Sequence, residues 1–102
     1  LEVLIEEELI ENARIQGEYL MNRLRRINSP HVKEVRGRGL LIGVELNKQA
    51  GGARRFCEAL KEEGLLCKET HETVIRFAPP LTITSEDLDW ALVRIERVLT
   101  TL

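Results

Sequence analysis

A short apolar segment with an arginine at its centre constrains this chain more than any other feature. Residues 74–78 read VIRFA, and two prolines follow them directly. Proline lacks a backbone N–H donor, so strand pairing should end there. Because side chains alternate along a strand, Ile75 and Phe77 should share one face while Arg76 points to the opposite face. The segment therefore predicts a short strand in a sheet with one apolar face and a guanidinium on the other.

Arg76 has two interpretations from the pattern alone. A guanidinium on a rigid strand can bind a carboxylate through two parallel hydrogen bonds. An arginine on the open face of a small sheet can equally be a solvated surface residue. The pattern leaves both interpretations open, and it makes Arg76 the candidate binding residue of the chain.

Length and charge limit the classes of protein to consider. The chain has 102 residues, of which 43% are hydrophobic and 31% are charged, and its net charge is -2. One small domain of this size buries roughly two thirds of its unfolded surface, which leaves little room for a deep, enclosed active site. The slightly acidic balance argues against a nucleic-acid-binding domain, which would show a basic face. No apolar run approaches the roughly 18 residues that a bilayer span requires, so we expect no membrane partner.

The residues that most often hold metals do not form a metal-binding pattern. Cys57 and Cys67 are the only cysteines, and His31 and His71 are the only histidines. None of the four has a second ligand at a diagnostic spacing. We therefore expect no metal site, and two free thiols in a reducing compartment.

The order of predicted elements is α-β-β-α-β-β-α. The hydrophobic periodicity and turn signals predict helices at about 1–27, 53–63 and from Thr84 onward, and strands at 32–36, 40–46, 65–67 and 74–78. This order is typical of an α+β two-layer sandwich, in which a small, mostly antiparallel sheet carries helices on one face.

Apolar stripes and glycines refine this prediction. The first helix carries its stripe at Ile5, Leu9, Ala13, Leu20, Leu24 and Ile27, and the last helix at Leu88, Ala91, Leu92, Ile95, Val98 and Leu99. Gly17 interrupts the first stripe at a cost of about 1 kcal/mol relative to alanine. That cost predicts the close approach of another backbone at Gly17. Gly37 and Gly39 predict a tight turn or bend between the first two strands.

The chain should be a piece of a longer protein, because a helix is already under way at Leu1. The sheet face without helices is then a candidate contact surface for the missing part. A small-molecule pocket often lies between two such domains.

Three segments resemble one enzyme family. Residues 35–43, VRGRGLLIG, resemble the glycine hairpin of class III pyridoxal-phosphate aminotransferases. Residues 11–20 are similar to the helix of that family's small domain. Residues 64–81, GLLCKETHETVIRFAPPL, look like the ornithine branch of the family, since a threonine-histidine turn joins the IRFAPP strand. The resemblance covers essentially the whole chain and favours the ornithine branch over the acetylornithine branch.

The resemblance implies that residues 1–102 are a single domain, the small C-terminal domain of a fold-type I aminotransferase without its large cofactor domain. Arg76 matches the family arginine that binds the α-carboxylate of the amino-acid or oxo-acid substrate. Pyridoxal phosphate, its lysine and its phosphate-binding loops would belong to the large domain. The four lysines of the chain do not match the family lysine: Lys33, Lys48, Lys61 and Lys68. Lys68, near Arg76, should have a surface or salt-bridge role, and the fragment alone should be inactive.

The implied reaction transfers the δ-amino group of ornithine to 2-oxoglutarate, which yields glutamate semialdehyde and glutamate. The parent enzyme should be a homodimer, cytoplasmic in a bacterium or in the mitochondrial matrix of a eukaryote. The residues also allow a different class of protein, a free-standing regulatory or interaction module of ferredoxin-like type, with Arg76 binding an amino-acid effector.

Overall fold

The computed structural model describes the backbone of residues 2–102 and the side chains of residues 6–102. Leu1 and the predicted burial of Ile5 therefore lie outside the described residues. The elements in chain order are helix α1 (Glu2–Arg25), strands β1 (Val32–Arg38) and β2 (Leu41–Leu46), a 3-10 turn (Lys48–Ala50), helix α2 (Arg54–Glu62), strands β3 (Lys68–Thr70) and β4 (Val74–Phe77), and helix α3 (Ser85–Thr101).

The four strands form one sheet in the order β1-β2-β4-β3, and all neighbours are antiparallel. The prediction of an α+β two-layer sandwich is confirmed. A ferredoxin-like domain has the order β-α-β-β-α-β, which this chain does not follow, so the ferredoxin-like alternative is wrong for the fold.

The core lies between the sheet and the helices. Val35, Val44 and Ile75 face one another across three strands and are almost completely buried. Phe56 of α2 packs into the same core. The predicted stripe of α3 is confirmed at all six positions, because Leu88, Ala91, Leu92, Ile95, Val98 and Leu99 are buried. These contacts fix which sheet face is covered and leave the side chains of the other face open.

Gly17 lies where α1 crosses the turn between β1 and β2. A Cβ atom at Gly17 would overlap the backbone carbonyl of Gly39, which has a left-handed φ of 57°. The predicted close approach of a second backbone at Gly17 is therefore confirmed. α1 supports the β1–β2 hairpin through this contact, and a side chain at position 17 would push the two apart.

The third strand differs from the prediction. Residues 65–67 lie outside the sheet, and the strand begins at Lys68. The helix end explains the difference, since the Leu65 amide donates to the Leu60 carbonyl at 2.8 Å and is engaged in ending α2. The turn between β3 and β4 lies at His71 and Glu72, which both adopt left-handed φ angles, 51° and 66°.

Thr84 begins α3 as predicted. A capping box forms there, in which the side chains of Thr84 and Asp87 each accept a hydrogen bond from the other's backbone amide. Within the described residues, we find no helix that combines the length and apolarity needed to cross a membrane.

Candidate functional site

Arg76 lies in the middle of β4, on the open face of the sheet. Its neighbours across the strands are Gly43 of β2 on one side and Lys68 of β3 on the other. Residues directly opposite one another in an antiparallel pair point to the same face. Arg76 and Lys68 are therefore exposed side by side, and Gly43 places no side chain against the guanidinium.

Two of the three cations of the β1–β2 half, Lys33 and Arg36, are paired with acids. Arg36 Nη1 lies 3.2 Å from Glu34 Oε2 and 3.2 Å from Glu45 Oε1. Lys33 Nζ lies 3.4 Å from the second oxygen of Glu45. The hydrogen bond from Arg36 is the largest cause that lowers the pKa of Glu45, partial desolvation opposes it, and Lys33 adds to the lowering. Glu45 thus holds its charge to a lower pH than a free glutamate.

The cations of the β4–β3 half are not paired in this way. Among the described residues, no carboxylate lies within ion-pair distance of Arg76 or Lys68. Lys68 is exposed and has no ion pair with a described residue, while its predicted surface or salt-bridge role stays a prediction. Two like charges directly opposite one another on a sheet are unfavourable without a counter-ion. This half of the open face is therefore suited to bind an anion.

A shallow cavity opens beside the two cations. It has a volume of about 500 Å³ and is lined by Leu66, Cys67, Lys68, Arg76 and Ala78. Leu66 is 83% exposed. The wall thus combines two cations with apolar side chains, the composition expected of a site that orients a small organic anion.

The thiol at the cavity wall does not supply a nucleophile. Burial is the largest cause that raises the pKa of Cys67, Cys57 adds to it through its neighbouring thiol, and the pKa reaches about 12. The pKa of Cys57 is also raised, mainly by burial. The reactive form of a cysteine is the thiolate, so both thiols are neutral and unreactive near neutral pH.

The loop that follows β4 is tied to α1 by a residue that the sequence did not single out for this role. Asn12 Nδ2 donates to the carbonyl of Leu81 at 2.7 Å and to that of Ile83 at 3.1 Å. Buried Gln16 accepts from the hydroxyl of Ser85 at 3.2 Å. Because these partners lie about 70 residues away, only the tertiary fold shows that Asn12 and Gln16 hold the end of the site strand.

The lysines show whether the described residues fit pyridoxal phosphate. An aldehyde cofactor needs a lysine enclosed in a pocket with partners for its phosphate. Lys33, Lys48, Lys61 and Lys68 are all exposed. Lys68 alone borders a cavity with Arg76, and that cavity is shallow and open. The residues of this chain therefore do not fit the cofactor by themselves.

Comparison with known proteins shows the family to which the chain belongs. The model of the family described as "Aminotransferase class-III" matches residues 1–99. The chain belongs to the class III aminotransferase family. Its curated relatives include ornithine aminotransferases from Halalkalibacterium halodurans, 63% identical over 99 residues, and from Bacillus subtilis, 62% identical over 99 residues. Each alignment covers 97% of this chain and 24% of the relative, so the chain spans about a quarter of their length.

Solved structures of class III aminotransferases share the fold. Ornithine aminotransferase from Plasmodium yoelii matches with a TM-score of 0.87 at 38% identity, covering 96% of this chain and 26% of that one. Acetylornithine aminotransferase from Elizabethkingia anophelis matches with a TM-score of 0.86 at 36% identity, covering 97% and 27%. The family resemblance read from residues 35–43 and 64–81 is therefore confirmed.

Proposed function

We propose that this chain is the C-terminal small domain of a pyridoxal-phosphate-dependent ornithine δ-aminotransferase, and that Arg76 binds the α-carboxylate of a substrate. The observation that carries the proposal is the state of Arg76: exposed on a rigid strand, beside a glycine, with no carboxylate partner among the described residues. The identity of about 60% to several curated ornithine aminotransferases supports the choice of the ornithine branch.

Arg76 contributes position in this proposal. The planar guanidinium can bind both oxygens of a carboxylate, which fixes the direction of the rest of the substrate. Ornithine carries two amino groups, so the place where its carboxylate, or that of the oxo acid, is held decides which end reaches the reacting centre. Pyridoxal phosphate, bound by the large domain, supplies the electron sink of the reaction.

The partner of the open face is the large domain of the same polypeptide. Three leucines are exposed, Leu41 at 55%, Leu66 at 83% and Leu81 at 48%, and Leu66 lines the cavity with the two unpaired cations. Burying them against a second domain would remove apolar surface from water and enclose the cavity. We further propose that the parent is a homodimer, and the bacterial relatives support a bacterial cytoplasm as its location.

The test is the Arg76→Ala variant of the full-length parent enzyme. Loss of a charge-assisted pair in a closed site should lower kcat/KM by an amount that corresponds to about 2–5 kcal/mol of transition-state stabilisation. Arg76→Lys keeps the charge but loses the two-donor fork, so it should recover only part of the activity. The measurement is kcat/KM for ornithine and for 2-oxoglutarate, together with the absorbance spectrum of the bound cofactor, which should be retained.

The matched control is Arg36→Ala, an arginine on the same sheet face that is already paired with Glu34 and Glu45. Its kcat/KM should stay within about twofold of the parent value, because an exposed ion pair contributes little. Unchanged kinetics in Arg76→Ala for both substrates would remove Arg76 from the site. Equal losses in the two variants would show that the face, and not Arg76, is what matters.

A further inference from the structure

Lys68 extends the site beyond a single guanidinium. It stands directly opposite Arg76 in the β3–β4 pair, and both side chains border the same cavity. The Cβ atoms of such opposite residues lie about 5 Å apart, so the two charged groups reach into one volume. A four-carbon stem lets the ammonium of Lys68 move, while Arg76 offers a rigid fork.

Arg76 and Lys68 differ from the other cations of the open face because they are adjacent and neither is paired with a described acid. Lys33 and Arg36, on the same face, are neutralised by Glu45 and Glu34. No described carboxylate plays that part for Lys68 or Arg76. A pair of unneutralised cations binds a dianion more strongly than a monoanion, because each additional negative charge interacts with both.

We propose that Lys68 is a specificity-determining residue that, with Arg76, favours substrates with two carboxylates over substrates with one. This inference rests on the proposed function, since it assumes that the cavity receives the substrate. Dicarboxylates are the class that two adjacent cations favour, and the oxo acid of the proposed reaction, 2-oxoglutarate, belongs to it. Ornithine carries one carboxylate and two ammonium groups, so Lys68 should not assist its binding.

The test compares two inhibitors of the full-length parent enzyme that share five carbons and differ in charge. Glutarate has two carboxylates and pentanoate has one. Lys68→Gln should reduce the preference for glutarate, the ratio of the two inhibition constants, by about three- to tenfold. Lys68→Arg, which retains a cation, should restore most of the preference. The KM for ornithine should change less than the inhibition constant of glutarate in both variants, because ornithine offers one carboxylate and two ammonium groups.

The matched control is Lys33→Gln, which removes a lysine from the same face but from the paired half. It should leave the preference for glutarate unchanged. An unchanged preference in Lys68→Gln, or an equal weakening of glutarate and pentanoate, would overturn the inference. Arg76→Ala separates this outcome from failure of the proposed function. If Arg76→Ala weakens both inhibitors while Lys68→Gln leaves their ratio unchanged, only the role of Lys68 is wrong.

Discussion

The two halves of the open sheet face use the same residue types in opposite ways. In the β1–β2 half, Arg36 and Lys33 share the carboxylate of Glu45, and Glu34 adds a second acid. In the β4–β3 half, Arg76 and Lys68 stand together without a described acid. Cations that are already paired with acids need no further counter-ion, whereas adjacent unpaired cations favour the binding of an external anion. The contrast separates a structural surface from a candidate binding surface within one small sheet.

The supporting layers of the two halves also differ. α1 packs behind β1 and β2, and Gly17 rests directly on Gly39 of the hairpin. α2 packs behind β3 and β4, where the amide of Ala53 donates to the carbonyl of Glu72 at 2.7 Å. Each half thus has its own supporting helix behind a shared core. Arg38, at the hairpin end of the first half, has no ion pair among the described residues and marks the limit of the pairing.

The largest effect should come from an acidic side chain placed next to Arg76. Gly43 lies opposite Arg76, and a Cβ there would meet only Val74 Cγ1 at 3.3 Å and the Arg36 carbonyl at 3.9 Å. Gly43 also lies opposite Arg36, so the carboxylate of Gly43→Asp would stand between the two arginines and should compete with a substrate carboxylate for Arg76. We expect kcat/KM of the full-length enzyme to fall roughly 30- to 1000-fold, which corresponds to a loss of about 2–4 kcal/mol of transition-state stabilisation.

Gly43→Asn is the control for this change, since it has the same size without the charge. Its loss of kcat/KM should be much smaller than that of Gly43→Asp. Equal losses would attribute the effect to bulk beside Arg76, and the charge contrast between the two halves would then lose its support.

The next effect concerns the anchor of the paired half. Gly17→Ala forces a Cβ into the Gly39 backbone, which cannot give way as a flexible side chain can. Urea unfolding of the full-length enzyme should show destabilisation of about 2–3 kcal/mol. Gly43→Ala is the matched control and should cost less than about 1 kcal/mol, because its Cβ stays 3.3 Å from the nearest atom, Val74 Cγ1, and does not overlap a backbone. Similar stability of the two variants would show that α1 and the hairpin can separate easily.

The smallest effect is the pH dependence of the paired half. The pKa of Glu45 is lowered below its ordinary value of 4.5, mainly by the hydrogen bond from Arg36. A carboxyl whose folded pKa is lowered stabilises the fold above 4.5, and this stabilisation disappears as the pH falls through the folded value. Glu45→Gln should therefore be less stable than the parent at pH 7, and the difference should vanish in more acidic solution.

Urea unfolding of both proteins at several pH values measures this change. Glu69→Gln, an exposed acid of β3 without an ion pair among the described residues, should differ little from the parent at any pH. A difference for Glu45→Gln that persists unchanged in acid would mean that Arg36 and Lys33 do not stabilise the glutamate.

Much of this architecture could be predicted from the sequence because periodicity records it directly. The stripe of α3, the close approach at Gly17 and the face of Arg76 each follow from local spacing. The position of β3 could not be predicted, since it depends on how Leu65 ends α2 and on the left-handed turn at His71 and Glu72.

The register that results from this turn brings Lys68 opposite Arg76. The pairing of Arg36 with Glu45 also depends on register, because the two residues lie on different strands. The sequence alone predicted that Lys68 lies near Arg76, and the fold was needed to show that the two residues stand directly opposite one another and to distinguish paired from unpaired charges.

The most direct measurement is a crystal structure of the full-length parent enzyme with bound glutarate. We expect one carboxylate to accept two hydrogen bonds from Arg76, at roughly 2.7–2.9 Å, with Arg36 still paired to Glu45. Glutarate bound elsewhere in the enzyme, with Arg76 paired to an acid of the large domain and not touching the ligand, would contradict the assignment of the β4–β3 half as the carboxylate site.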